Sequence, residues 1–497
     1  MFHRSLASRF CISIVVSLLL LSSCLGGQST PSSLAIRHSP SSSKAPLSPN
    51  SLKEYLIYSF VDGPSADSEN ERIRLHLGMI LSSADVQEYG GAYTGVEFWR
   101  AKMSDIQRVA FMSANPKAQV YENTQFLYHE GLSFSQNMNL NSSEPDHFPS
   151  QMLNETNEGT DLGAGPIFEP DAPADLKVVS WAPRAPLGKT NSYAYNPENG
   201  RQAIIYIIEN GIDGRNREFL WPPQDWLFAP GVRKTETDDD PLSHGSCVAS
   251  KATGSMNGVS KTTRLVVVKS SLNLVDIAWA FQQIVNSVAK QKSNRVVVLL
   301  AATTRTAWQS EMFQDARISR LYLRMENLIN LGAVVVVPSG NHARRNRIVD
   351  TVPAVFASPA KIPGRPALPL IVAGTVDNQG AEASWSQTSP AAMIWAPGVK
   401  VACTKRGWRF RPTETGTSFS AGMVAGLAAY FLGTKNPPFA LGAKDTSRNL
   451  IEYFQTSASW ARRPGERKVI WNRLDGRMVP LSNASIVPLS TWNASTY

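Results

Sequence analysis

The sequence predicts an α/β fold, a doubly wound and mostly parallel sheet, preceded by a small α+β module. Three observations carry that expectation. Five short apolar runs, at 204–208, 265–268, 296–300, 334–337 and 370–373, are uninterrupted by polar residues, as strands covered on both faces require. Helical spacing fills 275–290 and 319–331 between them, which gives the alternation of a doubly wound sheet. Ahead of this region, residues 53–122 switch twice between strand-like and helical patterning.

Taken in order, the chain opens with Arg4 and Arg9, an apolar stretch over 12–21 and the small residues Ser22, Ser23, Gly26 and Gly27, the layout of a secretory signal over 1–27. The stretch is shorter than the roughly 18 apolar residues of a membrane span. Leu21-Ser22-Ser23-Cys24 also fits a lipoprotein box, the alternative being that Cys24 carries a lipid. Residues 28–52 are rich in Ser and Pro and read as a spacer. In 53–122, a strand at 55–60 precedes a helix with Ile73, Leu77, Ile80 and Leu81 on one face; a strand at 95–101, a helix capped by Ser104 and a strand at 118–122 follow.

Between Lys117 and Lys177 there is no Lys or Arg, while ten Asp and Glu residues fall there. Residues 123–175 therefore read as an acidic linker, expected to lie against a basic remainder of the chain. Asn141 and Asn154 within it, and Asn483 and Asn493 in the tail, begin glycosylation sequons. Residues 176–435 form the large α/β domain and 436–497 a C-terminal extension.

The whole 497-residue chain carries 49 Lys and Arg against 40 Asp and Glu, a formal +9, but has no basic run of the kind that binds nucleic acid. Four cysteines exclude a disulfide-stapled mini-scaffold and a paired CxxC zinc site. With Cys11 and Cys24 in the signal region, Cys247 and Cys403 remain, either bridged or free.

In an open parallel sheet, ligands gather outside the carboxyl ends of the strands. Those ends carry Glu209-Asn210-Gly211-Ile212-Asp213 and Pro338-Ser339-Gly340-Asn341. Two helical segments in the same domain open with His244-Gly245-Ser246 and with Gly416-Thr417-Ser418. Acyl transfer to a serine needs a base, a carboxylate to orient it, and donors for the oxyanion. Ser418 suits the nucleophile, His244 the base, Glu209 the orienting acid, and the Asn341 amide with the Ser418 backbone N–H the oxyanion donors.

The order carboxylate, His, Asn, Ser with these flanks resembles the subtilisin-like serine peptidases. Further similarity lies in Val372-Ala373-Gly374-Thr375-Val376, Ala383-Ser384-Trp385-Ser386 and Ala396-Pro397-Gly398-Val399. The resemblance implies a sheet of the subtilisin type and a secreted endopeptidase with a zymogen's inhibitory propeptide, to which 53–122 is similar. It also implies polypeptide substrates, the chain's own propeptide as partner, and no required cofactor. From the charge pattern no nucleic-acid partner is expected, and from the short apolar stretch no stable membrane span; the oligomeric state is open.

The sequence departs from the family's pattern in four places. Glu209 stands where the family has Asp, one methylene longer, which opens the alternative of a catalytically impaired peptide-binding protein; Asp213 is the fallback carboxylate. Gly422 replaces the family's Pro, predicting a less rigid first turn of the serine helix. Leu300-Ala301-Ala302-Thr303-Thr304 replaces the usual wall of the substrate pocket, and Ser246 replaces Thr. Asp238-Asp239-Asp240 is a possible contributor to a structural calcium site, left unassigned. Arg344-Arg345-Asn346-Arg347 reads as a solvated loop or as an electropositive lip for acidic peptides or for the linker.

Overall fold

The apolar runs become the centre of a nine-stranded sheet in the computed structural model, which describes residues 51–59, 66–91, 95–123, 127–128, 165–185, 190–220, 224–304, 307–359, 361–407 and 412–477. These belong to one compact unit, Pro49–Tyr497. The expected signal, nearly all of the spacer, most of the linker and the four sequons lie outside the described residues. Among the described residues no helix is long and apolar enough to cross a membrane.

The first part of the unit is a four-stranded antiparallel sheet, β1 (Lys53–Ser59), β2 (Val86–Gly91), β3 (Gly95–Met103) and β4 (Ala118–Glu122), in the order β2-β3-β1-β4. Helices α1 (Ala66–Ile80) and α2 (Asp105–Ala114) accompany it. Ser104 caps α2 through a capping box with Gln107, as its position before the helical run predicts. Period-2 alternation divides β1 between two cores. Tyr55 and Ile57 pack with Ile73, Leu77 and Phe111 inside the module. Leu56 and Tyr58 turn the other way, joining Tyr89, Phe98 and Ala316 of the large domain.

The large domain adds short strands β5 (Leu127–Tyr128), β6 (Ile167–Glu169) and β7 (Tyr193–Tyr195), with helix α3 (Ala174–Val179). Its sheet strands are β8 (Ile204–Glu209), β9 (Asp225–Phe228), β10 (Arg264–Lys269), β11 (Val296–Leu300), β13 (Val334–Pro338), β14 (Ile371–Val376) and β15 (Met393–Pro397), with β18 (Ser459–Ala461) and β19 (Lys468–Ile470) at one edge. Two-residue strands β12 (Thr303–Thr304), β16 (Val401–Ala402) and β17 (Thr413–Glu414) stand apart. The order is β18-β19-β15-β14-β13-β11-β8-β10-β9, and only the β18–β19 pair is antiparallel. Helices α4 (His244–Thr253), α5 (Leu274–Gln291), α6 (Ala316–Asn330), α7 (Thr417–Leu432) and α8 (Thr446–Thr456) cover it. Ile205, Ile207, Val297 and Leu299 pack with α4 and α7 on one face. Tyr206, Ile208, Val298 and Leu300 pack with α5 and α6 on the other.

The module docks on the α5–α6 face. The Ala316 N–H, an unsatisfied donor at the start of α6, meets Gln119 Oε1 at 2.9 Å and the Tyr121 hydroxyl at 3.1 Å. Arg320 donates to Ser59 O at 2.9 Å, and the Arg317 guanidinium lies 4.2 Å from the Tyr121 ring centre.

Two expected boundaries move. The domain begins before 176, because β6 pairs with β7, Glu169 meets Lys261 at 3.1 Å and Asp175 meets Lys251. It also continues past 435, because α8, β18 and β19 complete the sheet that the sequence reading stopped at α7. Lys251 Nζ lies 2.5 Å from Asp175 Oδ2 and 2.9 Å from Ala402 O, while Asp175 Oδ1 accepts the Ala402 N–H at 3.1 Å. Both side chains are almost fully buried. Lys251→Met leaves the Asp175 charge stranded and is expected to cost ~3–5 kcal/mol, measured by chemical denaturation; a loss under ~1 kcal/mol would refute the assignment.

Candidate active site

The candidate residues meet at the carboxyl ends of the central strands. Glu209 is the last residue of β8, and the parallel register sets it beside Lys269, the last of β10. Helix α4 begins at His244, immediately after Ser243, whose φ of 56° turns the chain into the helix. Ser243 itself provides no side-chain cap. Two acids upstream do so instead: Asp240 Oδ2 accepts the His244 N–H at 2.9 Å, and Asp238 Oδ2 accepts the Ser246 N–H at 2.8 Å. Negative side chains at this end of a helix are favoured by its dipole.

Glu209 Oε1 lies 3.0 Å from His244 Nδ1, with both side chains almost fully removed from solvent. The extra methylene of Glu209 is therefore accommodated. Gly245 makes room for the approach, since a Cβ there would stand 2.1 Å from Gly211 O and 3.1 Å from Glu209 Cβ. Glu209, and not Asp213, is the carboxylate paired with His244 among the described residues. The Asp213 backbone N–H donates to Ser246 Oγ at 2.9 Å, and that hydroxyl donates to Asp238 Oδ2 at 2.6 Å. The Ser246 hydroxyl thus ties the turn after β8 to the loop before α4. Burial pushes the His244 imidazole below its ordinary pKa, opposed by the charges of Asp240 and Glu414 and reinforced by Lys405. A neutral ring is the form that can accept a proton.

The carboxylates of Asp238, Asp239 and Asp240 serve different protein partners. Asp239 meets Lys269 Nζ at 3.0 Å and Arg233 at 3.6 Å. The same ammonium receives the carbonyl oxygens of Thr235 and Thr237 at 3.0 Å each, so the oxygen cage of this loop holds Lys269. Burial raises the Asp238 carboxyl to about 7, against the lowering effect of the Ser246 hydroxyl and amide and the Asp240 amide, with the Glu209 charge adding to the rise.

Ser418 is the second residue of α7, and its Oγ donates to Ala301 O, just past β11, at 3.1 Å. The Phe419 ring packs 5.5 Å from the His244 ring, centre to centre. Gly422 does not loosen the helix start: α7 is buried along its whole length, and a Cβ at 422 would lie 2.7 Å from Val248 O. The glycine lets α4 and α7, which carry His244 and Ser418, pack closely.

Asn341 follows β13. Its Oδ1 accepts the Thr417 N–H at 3.0 Å and the Thr417 hydroxyl at 2.9 Å, which fixes Nδ2 as the donor end of the amide. Gly340 turns the chain at φ +106°, where a Cβ would come within 2.1 Å of Gln387 Oε1. Gln387 is itself held through Nε2 by Asn346 O, Ile348 O and Asp350 Oδ1 at 2.8–3.1 Å. Arg347 pairs with Glu382 at 2.5 Å. Arg344 and Arg345 are exposed.

Sequence reasoning missed Lys269 and the capping role of Asp238 and Asp240. A lysine closing the run Leu265-Val266-Val267-Val268 was the available signal, since an ammonium at a buried strand end needs oxygen partners.

Residues 201–464 match the subtilase family. The chain is 27% identical over 255 residues to "Subtilisin-like protease 2" of Trichophyton rubrum, covering 50% of this chain and 53% of that one. It is 29% identical over 252 residues to "Subtilisin-like protease 3" of Pseudogymnoascus destructans, covering 48% and 55%. The chain thus spans about half the length of these curated relatives. Among solved structures, the epidermin leader peptide processing serine protease of Staphylococcus aureus superposes with a TM-score of 0.55 at 12% identity, covering 87% of this chain and 99% of that one. At that identity the likeness speaks for the fold alone.

Proposed function

We propose that this chain, which belongs to the subtilase family, is a secreted serine endopeptidase made as a precursor. The observation that carries the reading is the 3.0 Å approach of Glu209 Oε1 to His244 Nδ1, which answers the objection raised by the longer acid. Ser418 Oγ attacks the carbonyl carbon of the scissile bond as the His244 Nε2 accepts its proton. Glu209 holds the Nδ1–H and stabilises the imidazolium that forms. The Asn341 Nδ2 and the Ser418 backbone N–H, at the positive end of α7, receive the oxyanion. His244 then protonates the leaving amine, and water releases the acyl group by the reverse sequence. No cofactor is required in this scheme.

The precursor reading is supported by the module, whose sheet docks on α5 and α6, and by Leu127–Tyr128, which pairs antiparallel with Thr303–Thr304 beside Ser418. Secretion is supported by the Cys247–Cys403 disulfide, a bond of oxidising compartments.

A fluorophosphonate probe tests the activity. It is expected to label the wild-type protein at Ser418, read by peptide mass, and His244→Ala is expected to abolish the labelling. An unlabelled wild-type protein sinks the reading and leaves a peptide-binding protein of the same fold.

A further inference from the structure

We propose that the Lys405–Glu414 ion pair is a positioning clamp for the reacting centre, holding the approach to Ser418 against the start of the helix that carries His244. The proposal deepens the serine-peptidase reading and rests on it. Both residues act through the groups they hold, not by touching the reacting atoms.

The clamp follows from where its two arms are anchored. The arm that carries Lys405 leaves β16 and runs along α4 toward that helix's first turn. Cys403 is bonded to Cys247, the Thr404 N–H donates to Ser250 Oγ at 3.2 Å, and the Arg406 N–H donates to Ser243 Oγ at 3.2 Å. The Arg406 guanidinium also donates to Asp238 O at 3.2 Å, and the Asp238 carboxylate accepts the Ser246 N–H. Lys405 is thus fixed on both sides, through Thr404 to Ser250 and through Arg406 to Ser243, the neighbour of His244.

The arm that carries Glu414 is β17, which leads into Ser418 four residues later. Val401 pairs with Glu414 and Ala402 with Thr413, and the Cys403 N–H donates to Pro412 O at 3.0 Å. Beyond Glu414, Thr415 Oγ1 accepts the Lys400 N–H at 2.9 Å, and the Gly416 N–H donates to Gly398 O at 2.9 Å. The ion pair extends this short ribbon's tie from Cys403 to Lys405, with side chains 16% and 18% exposed. At that exposure water and salt screen it only in part, so its attraction exceeds that of a fully exposed pair.

The same placement gives a signature that packing alone does not. Both charges act on the His244 imidazole, Glu414 favouring its protonated form and Lys405 opposing it. Charge also surrounds the ring from Glu209 at the end of β8 and from Asp238 and Asp240 before α4. Asp239 beside them is held by Lys269, and Arg406 by the Asp238 carbonyl. These groups stay in place when one member of the clamp is replaced, so the ring reports the charge left behind. With Lys405 gone, the unbalanced Glu414 carboxylate stabilises the imidazolium and raises the pH at which His244 loses its proton. With Glu414 gone, the unbalanced Lys405 ammonium lowers it.

The test uses the full chain and an uncharged fluorogenic peptide, with circular dichroism to verify folding. The acid limb of kcat/KM is expected to move up by about half a pH unit in Lys405→Met and down by about as much in Glu414→Gln. In Lys405→Met/Glu414→Gln the limb should return to its wild-type position, while kcat stays about tenfold lower with KM little changed, because the charges balance but the clamp is gone. Lys405→Arg keeps a charged donor for Glu414 and is expected to retain at least about half of kcat. Glu414→Gln is isosteric, so its downward shift decides the matter alone if Lys405→Met does not fold. Single-variant limbs that coincide or move the same way, a double variant with wild-type kcat, or a loss in Lys405→Arg equal to that in Lys405→Met overturns the proposal. Fluorophosphonate labelling separates the two levels: with wild-type Ser418 labelled, such a result removes the clamp alone, whereas an unlabelled wild type removes the peptidase reading and this proposal together.

Discussion

Glu209→Gln is expected to lower kcat about ten-thousandfold with KM little changed, and Glu209→Asp to lower it about a hundredfold although it restores the family's usual residue. The first figure is the scale seen when the orienting carboxylate of a serine peptidase becomes an amide, which holds the imidazole in the wrong tautomer and no longer offsets its charge. The second follows from distance. The structure brings Glu209 Oε1 to 3.0 Å from His244 Nδ1 with the helix already pressed close through Gly245. Removing one methylene withdraws the carboxylate by more than 1 Å, and α4 cannot follow because Asp238 and Asp240 fix its first turn. Steady-state kinetics on a fluorogenic peptide, with circular dichroism to verify folding, measures both. Glu209→Asp at or above wild-type rate would show that the site is built for the shorter acid and that the observed spacing is not the working one.

The parts of this site visible in the sequence are those that sit at the ends of strong local patterns. The run at 204–208 ends in a carboxylate, the run at 334–337 leads to Asn341, and the small-residue helix opens at Ser418. Positions held by a loop were harder to read. Asp238-Asp239-Asp240 stood as a possible contributor to a calcium site of the kind such peptidases carry, left unassigned. Their partners are Lys269 and two helix-end amides, brought there by tertiary contacts that leave no periodic trace.

The domain ends were obscured for related reasons. Strands β18 and β19 are three residues each, and β19 meets β15 through a single register pair, Trp395 with Val469, so neither forms an apolar run. At the other end the acidic excess suggested a continuous linker. Glu169 and Asp175, two of the ten acids between Lys117 and Lys177, are structural partners of Lys261 and Lys251 in the domain. The charge asymmetry is thus partly internal ion pairing, and a net-charge count alone does not separate the two.

Replacing Cys247 and Cys403 together by alanine is expected to cost about 5 kcal/mol. The bridge joins residues 156 apart, one in α4 three positions after His244 and one just past β16. On the chain-entropy account, releasing a loop of that length from the unfolded state accounts for about 5 kcal/mol. For a domain of this size the loss corresponds to a fall in Tm of roughly 5–10 °C, measurable by calorimetry at matched scan rate. Both sulfurs are buried, at 0% and 1% residue exposure, so reductant added to the folded wild-type protein should act only as it unfolds. The folded double variant should keep most of its kcat, because Asp238 and Asp240 still hold the first turn of α4 and Gly422 still admits Val248 O. A drop in Tm below about 3 °C would mean that packing between α4 and α7 already restrains what the disulfide restrains. A large loss of kcat in protein that remains folded would instead place the bridge among the elements that position His244.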